Sequence, residues 1–357
     1  MPNASTTDIT RSIACTASYG SGGLGQHFSQ LVEAARQQNT LAHYYSSGTQ
    51  PNDPAGQLVT VPILKGLPYT PLRYSPAWIN YLGGELFDRA VAAKLTPTNE
   101  FEGFGGQSLH CFRRARQLGC AALHLQAANS HVNHVVRQHH KALQRLGIET
   151  TWLNDTQRQK TLCEYQLADM IHVASEYTRQ TFLAEGFPNE KLQRLKLTIH
   201  PRFTPLANRP DDGIFRIVYV GSLTVMKGIP ILLEAFSQLP GKDTQLTLVG
   251  GWATRGMRRY LQSWLARDSR IQIAPGDPLP HLQRASVYVH PTYEDGFAYA
   301  PMEALACSVP AIVTEDTGMK EYIQTGVNGY VIPTGNWEAL LEKLEACKAS
   351  PFILSSP

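Results

Sequence analysis

The sequence predicts an α/β protein of two Rossmann-like, doubly wound domains, and three observations carry that expectation. Short apolar runs alternate with helical patterns along most of the chain, as strands joined by helical crossovers do. A segment without periodicity, HPRFTPLANRPDDG at 200–213, interrupts the alternation with three prolines and reads as a linker. The 357 residues exceed one ordinary core and suit two domains of about 150–200 residues each. The boundary falls at 203/204, giving an N-terminal domain of 1–203 and a C-terminal domain of 204–357.

In the first domain the apolar run Ile13–Ala17 predicts a strand near 12–17. Gly20, Gly22 and Gly25 follow it in the spacing G-x-G-x-x-G, and a helical pattern near 26–38 comes next. Strand, glycine turn and helix in that order are the setting of a dinucleotide-binding turn. A second strand near 40–46 ends in serines, and no acid occurs from 34 to 52. A nicotinamide cofactor's ribose needs an acid there, so an NAD(P)-dependent oxidoreductase is only a minor alternative. The Pro/Gly-rich stretch 48–84 reads mostly as loop. Helices near 84–94 and 107–118, a strand at 120–128, a helix at 131–146, a strand at 168–175 and a helix at 176–185 complete the domain.

The second domain restarts the pattern. Strands are expected at 215–222, 245–251, 270–275, 286–292 and 310–315, with helices at 230–240, 256–267, 279–285 and 300–307 between them. Two such domains would place a ligand cleft outside the C-terminal ends of both sheets. No internal repeat is evident.

Composition narrows the class. Charged residues at 17% and hydrophobic residues at 43% are a globular balance. No stretch approaches the ~20 apolar residues that span a bilayer, and MPNASTTDITRS lacks a signal peptide's apolar core. The six cysteines (15, 111, 120, 163, 307 and 347) show no CxxC spacing, which fits reduced thiols and a cytoplasmic protein. Residues 1–205 carry 19 Lys/Arg against 14 Asp/Glu and ten of the twelve histidines. An anionic partner, such as a membrane surface met by 112–119 and 135–147, explains this, and so does a merely solvated face. No nucleic-acid partner is implied.

The chemistry concentrates in 290–333. Asp295, Gly296 and Phe297 are followed, eight residues after the acid, by Glu303. Pro301 suits the first position of the helix that holds Glu303. The amides around Phe297–Ala300 then precede a helix N-terminus, a ready site for a diphosphate. Lys227 lies in the loop after the domain's first strand, at the same sheet edge, where it can neutralise a phosphate. No aspartates are spaced D-x-D, and His131, His134, His139 and His140 have no carboxylate or thiol at helical spacing, so no metal site is expected.

This region resembles the donor-binding region of family-4 retaining glycosyltransferases (glycosyl transferases group 1), whose fold is GT-B. The resemblance takes in YVGSLTVMKGIPILLEAFSQL, LTLVGG and YQLADMIHVASEYTRQTFLAEGFPNEKL and covers nearly all of 160–346. It implies a transferase moving a sugar from a nucleoside-diphosphate sugar to an acceptor hydroxyl, with retention and without metal or other cofactor. Glu303 would hold the ribose diol, Asp295 the transferred sugar, and Lys227 the diphosphate. Gly221, Ser222, Gly296, Phe297, Ala298, Tyr299 and Ala300 would line the donor. Gly22, Gly23 and Gly25 would face the cleft from the acceptor domain, and His131 would face the sugar. Many relatives use lipid-linked acceptors; a glycan or a small molecule is equally open.

Two departures accompany the resemblance. Gly221-Ser222 stands where the family usually has an arginine beside the glycine, with Arg255 or Arg258 as candidate substitutes. The chain also leaves little room for the family's final crossover helix. These departures keep a non-catalytic sugar-nucleotide-binding protein of the same fold as the alternative.

Overall fold

The computed structural model describes residues 9–66, 69–252, 254–350 and 352. Within them the chain forms two compact units, each built on one parallel sheet.

The first unit contains the strands β1 (Arg11–Cys15), β2 (Leu41–Ser46), β3 (Gly56–Leu58), β4 (Glu100–Phe104), β5 (Ala122–Ala127), β6 (Met170–Val173) and β7 (Leu192–Arg194). They pair in the order β3-β2-β1-β4-β5-β6-β7, all parallel. The helices in this part of the chain are α1 (Gly22–Gln37), α2 (Pro62–Gly66), α3 (Pro76–Lys94), α4 (Leu109–Gln117), α5 (Val132–Arg145), α6 (Asp155–Leu167) and α7 (Glu176–Leu183). The strand order reverses between β1 and β4, so the C-terminal ends of the two diverge into a crevice.

Several of these elements depart from the sequence expectation. Strand β4 sits beside β1 at the centre of the sheet, yet its sequence EFEGF carries two carboxylates and does not read as a buried strand. The fold tolerates them because each has a partner. Arg11 pairs with Glu100 at 2.6 Å, and Gln126 hydrogen-bonds Glu102. Helix α3 starts at Pro76, eight residues before its expected start at 84, inside the supposed loop. Strand β3, helices α2 and α6 and strand β7 were not expected at all.

The second unit contains β8 (Phe215–Val220), α8 (Ile229–Gln238), β9 (Thr244–Val249), α9 (Arg255–Leu265), β10 (Ile271–Ile273), α10 (Leu279–Arg284), β11 (Val287–His290), α11 (Tyr299–Ala306), β12 (Ala311–Thr314), β13 (Gly329–Ile332) and α12 (Trp337–Ala349). The sheet order is β10-β9-β8-β11-β12-β13, with the reversal between β8 and β11. Ile217, Tyr219, Leu246, Leu248, Val287 and Val289 bury the strands in a continuous core. Strand β13 and helix α12 are additions to the expected pattern.

The division is not a single cut at 203/204. The second unit begins at Thr198 and also takes His134–Thr150 and Ser175–Thr178. Packing explains this. Ala142 and Ile148 join the second unit's core, and the Glu149 carboxylate accepts the Val225 N–H at 2.5 Å and the Thr254 hydroxyl at 2.6 Å. Among the described residues no helix is long and apolar enough to cross a membrane.

Candidate functional site

The second unit's sheet edge is built by close backbone approaches that only glycine permits. Gly221 ends β8 at φ +144°, and Gly250 ends β9 so close to it that a Cβ would collide with the Gly221 carbonyl. Gly228, at φ +70°, caps α8, and a Cβ there would run into the carbonyl of Pro291. The loop before α8 is thereby pressed onto the loop after β11. The Tyr293 N–H stitches them by donating to the Met226 carbonyl at 2.9 Å.

This junction places Lys227 against Asp295. The ammonium Nζ lies 2.5 Å from Asp295 Oδ2, and His290 Nε2 lies 3.2 Å from the same oxygen. His290 ends β11, is buried, and lies nearly parallel to the rings of Tyr219 and Tyr288, with planes inclined by 8° and 19°. Its Nδ1 faces the Tyr288 hydroxyl at 3.2 Å. Burial opposes ionisation of Asp295, but the Lys227 charge and the His290 hydrogen bond outweigh it and hold the carboxyl well below its usual range. Burial lowers the pKa of His290 despite the carboxylate beside it. A neutral imidazole that donates from Nε2 to Asp295 must accept at Nδ1, so the tyrosine hydroxyl is its donor. For Lys227, burial works against the charge and Asp295 more than compensates, raising its pKa.

The loop continues into α11. The backbone of Asp295 pairs with Thr317, and the Gly296 carbonyl accepts the hydroxyls of Ser175 at 2.6 Å and Thr178 at 3.2 Å. Ala298 caps the helix at φ +63°, an unusual conformation for a residue with a side chain, and contributes no capping bond. Helix α11 starts at Tyr299, so Pro301 occupies the third helical position and not the expected first. A proline is tolerated there because the first turn's N–H groups have no partners within the helix. Phe297 is buried and meets Tyr299 and Tyr322 edge-on, while Glu303 is buried one turn into the helix. Thus Lys227, Asp295, Gly296, Phe297, Ala298, Tyr299, Ala300 and Glu303 form one continuous structure, with Gly221 and the exposed Ser222 at the end of the neighbouring β8. Arg258 lies over the Trp252 ring at 5.7 Å, and Trp252 bridges to Leu223, next to Ser222. Arg255 is exposed at the start of α9.

Sequence reasoning missed His290. The signal was present, an imidazole at the end of a buried strand five residues before the acid, but its partner is fixed only by the fold.

In the first unit the glycine turn has local structural reasons. Gly20 and Gly22 take φ +70° and +64°, and a Cβ at Gly25 would strike the Ser18 carbonyl. Helix α1 opens at Gly22-Gly23 with no side-chain cap from Ser21. Asp53, the first acid after β2, bonds Arg36 at 2.7 Å. His131 is 1% exposed, walled by Tyr165, Phe182 and Phe187, and its Nδ1 accepts the Asn133 N–H at 3.2 Å. It was expected to face a sugar; the structure encloses its ring in aromatic side chains. Glu85, Asp88 and His110 come within metal-ligating distance of one another, yet Lys160 lies 2.8 Å from both carboxylates and supplies the positive charge. Both basic stretches spend their apolar side chains on cores: Phe112 and Ala115 in one, Val135 and Ala142 in the other.

Residues 206–352 match the family described as glycosyl transferases group 1. The capsular polysaccharide biosynthesis glycosyltransferase CapM of Staphylococcus aureus is 28% identical over 169 residues, 45% of this chain and 43% of that protein. The chain thus spans under half the length of the curated relatives it matches. Among solved structures, sucrose-phosphate synthase from Thermosynechococcus elongatus superposes with a TM-score of 0.74 at 20% identity, covering 96% of this chain and 90% of that one. HepE from Anabaena, in complex with UDP-glucose, gives 0.69 at 14% identity, covering 95% and 89%. These likenesses establish the fold, two Rossmann-like domains of the GT-B type.

Proposed function

We propose, from the premise that residues 206–352 form a glycosyl transferases group 1 domain, that the protein is a glycosyltransferase. It moves a sugar from a nucleoside-diphosphate sugar bound by the second unit to a hydroxyl of an acceptor bound by the first. The observation that carries this reading is the Lys227–Asp295–His290 cluster, set at the strand-order reversal where the α8 and α11 N-termini begin.

Each group has a task in that reading. The ammonium of Lys227 has three N–H donors and gives one to Asp295, which leaves two for phosphate oxygens. The first-turn amides of α11, at Tyr299 and Ala300, add the positive end of a helix dipole. Glu303 is assigned to the ribose diol. Asp295 Oδ2 is committed to Lys227 and His290, so its remaining oxygen serves the sugar hydroxyls and the residue is no nucleophile. In the first unit the amides that open α1, at Gly22 and Gly23, are offered to an anion.

When the bond from the anomeric carbon to the phosphate breaks, negative charge grows on the departing phosphate oxygen. Lys227 and the helix amides stabilise that charge. The same oxygen accepts the proton of the incoming hydroxyl as the new glycosidic bond forms on the face it left, which gives retention. In this scheme lysine and helix dipoles do the electrostatic work for which other transferases use a metal. A uridine diphosphate sugar is the first donor to try, because the structurally similar HepE binds UDP-glucose.

The test is kinetic. Lys227→Ala and Glu303→Ala should each lower transfer, or donor hydrolysis where no acceptor is supplied, by about 10²–10³ while the circular dichroism spectrum is unchanged. Wild-type rates in both variants would reject the site. Nucleotide binding without any turnover by the wild type would leave a binding protein.

A further inference from the structure

Behind the Lys227–Asp295–His290 cluster stands a tyrosine that the proposed chemistry does not yet use. Tyr288 lies two residues before His290 on β11, so the alternation of a strand puts both side chains on one face. Both are buried. The Tyr288 hydroxyl is 3.2 Å from His290 Nδ1, and His290 Nε2 is 3.2 Å from Asp295 Oδ2. A phenol, an imidazole and a carboxylate therefore stand in series, with Lys227 at 2.5 Å on the same carboxylate oxygen.

The hydrogens of this series have one consistent arrangement. An ionised Asp295 can only accept, so Nε2 carries a hydrogen. Burial keeps the imidazole neutral, which leaves a lone pair on Nδ1 in need of a donor. Burial first, then Tyr219 and the carboxylates of Glu303 and Asp295, push the Tyr288 phenol up, so it keeps its proton. The Val220 carbonyl, at 3.4 Å, is the more distant of the two acceptors around that hydroxyl. Were the hydroxyl missing, nothing would oppose moving the imidazole hydrogen to Nδ1. A bare Nε2 lone pair would then face Asp295 and repel it.

We propose that Tyr288 is a positioning residue for the transfer. Acting through His290, its hydroxyl fixes which imidazole nitrogen carries the hydrogen, and so holds Asp295 with one oxygen left for the donor sugar. The proposal rests on the transferase reading above and adds to it a residue that touches neither sugar nor phosphate.

Tyr288→Phe removes the hydroxyl and keeps the ring, and His290→Leu removes the imidazole. The full chain, both single variants and the double variant are compared in donor hydrolysis over a panel of UDP-, GDP- and ADP-sugars. Tyr288→Phe should lower kcat/KM about tenfold near pH 8. Its melting temperature and its affinity for the matching nucleoside diphosphate should stay as in wild type. In the His290→Leu background it should cost nothing further, because its effect passes through the imidazole.

The pH profile separates positioning from packing. The titratable groups acting on His290 are Tyr288 on its own strand, Lys227 before α8 and Asp295 after β11, with the Tyr219 ring of β8 beside it. Only the neutral imidazole accepts the Tyr288 hydrogen bond, so losing that bond raises the pKa of His290. The imidazolium donates from Nε2 whatever stands at Nδ1. The rate of Tyr288→Phe relative to wild type should therefore recover as pH falls from about 8 to about 6. A defect of constant size over that range, or one that adds in full to His290→Leu, would overturn the proposal.

A readout without turnover accompanies these rates. In a two-bond ¹H–¹⁵N spectrum of ring-labelled protein, the His290 signal is identified by its loss in His290→Leu. It should show the neutral Nε2–H form in wild type, and the opposite tautomer would overturn the proposal. The expected tautomer in a wild type that hydrolyses none of these sugars would count against the transferase reading, and the proposal would fall with it while the hydrogen-bond series stood.

Discussion

At the scale of single residues, buried imidazoles set an acid limit on the first unit. His27 is buried against Phe104, and burial pushes its pKa down to about 4, opposed by a hydrogen bond with Gln126. His172, stacked on His124, is pushed to about 3, chiefly by burial and then by the neighbouring His124. In the unfolded chain both histidines bind protons near the ordinary value of 6.5. The unfolded state therefore takes up more protons between pH 6.5 and 4. Stability from these groups is full above pH 6.5 and is lost as pH falls toward the folded values, on the order of 3 kcal/mol for His27 and about 5 kcal/mol for His172. Glu164 runs the other way, since burial raises its pKa to about 8 despite the Ser108 and Gly106 N–H groups it accepts. The clean measurement is thus a difference between two proteins. His27→Phe keeps a ring against Phe104 and removes one titration, so urea melts should show wild type losing stability relative to the variant as pH drops from 6.5 to 4. A constant difference across that window would refute the assignment.

At the scale of elements, the turns before α8 and α11 make opposite demands. Gly228 is irreplaceable on steric grounds, because its φ of +70° and the Pro291 carbonyl both exclude a side chain. Gly228→Ala should cost about 2–4 kcal/mol and, by moving Lys227 away from Asp295, lower turnover as much as Lys227→Ala does. Ala298 takes φ +63° with a methyl group attached, so Ala298→Gly should leave the melting temperature unchanged or raise it, a gain of at most about 1 kcal/mol, with turnover retained. A clear drop would mean that the methyl's packing outweighs the backbone strain. These elements also show what the sequence makes legible. Strands β8, β9, β11 and β12 are buried on both faces and so read as apolar runs. Helix α6 is marked by neither an apolar stripe nor low charge, since it buries Lys160 for its ion pairs with Glu85 and Asp88 and Glu164 for the backbone N–H groups it accepts. Lys227 is singled out by one short-range motif and Asp295 and Glu303 by another. The Gly228 contact was not readable, because it joins two loops far apart in sequence, and the His290 bond was not, because only the fold of the loop after β11 turns Asp295 back onto His290.

At the scale of the whole molecule, alternating strands and helices announced two Rossmann-like units, while the course of the chain between them stayed hidden. Nothing in VVRQHHKALQRLG says that its buried face belongs to the core of a domain starting some sixty residues later. Only the packing of Ala142 and Ile148, and the bonds from Glu149 to Val225 and Thr254, reveal it. Ile148 also sits directly against Gly256, where a Cβ would collide with the Ile148 carbonyl. A fragment cut at the apparent linker, residues 204–357, therefore lacks part of its own core and leaves the Val225 amide, beside Lys227, without its acceptor. It should be poorly soluble or bind 8-anilinonaphthalene-1-sulfonate as a loosely packed state, and it should lack the donor affinity of the full chain. Within the full chain, Glu149→Ala isolates the polar part of the same junction. Removing the carboxylate from a part-buried amide and hydroxyl should cost about 1–3 kcal/mol in denaturant unfolding and weaken nucleotide binding through the Lys227 loop. A 204–357 fragment that melts cooperatively and binds UDP as the intact protein does would show that residues 134–150 are dispensable to this unit.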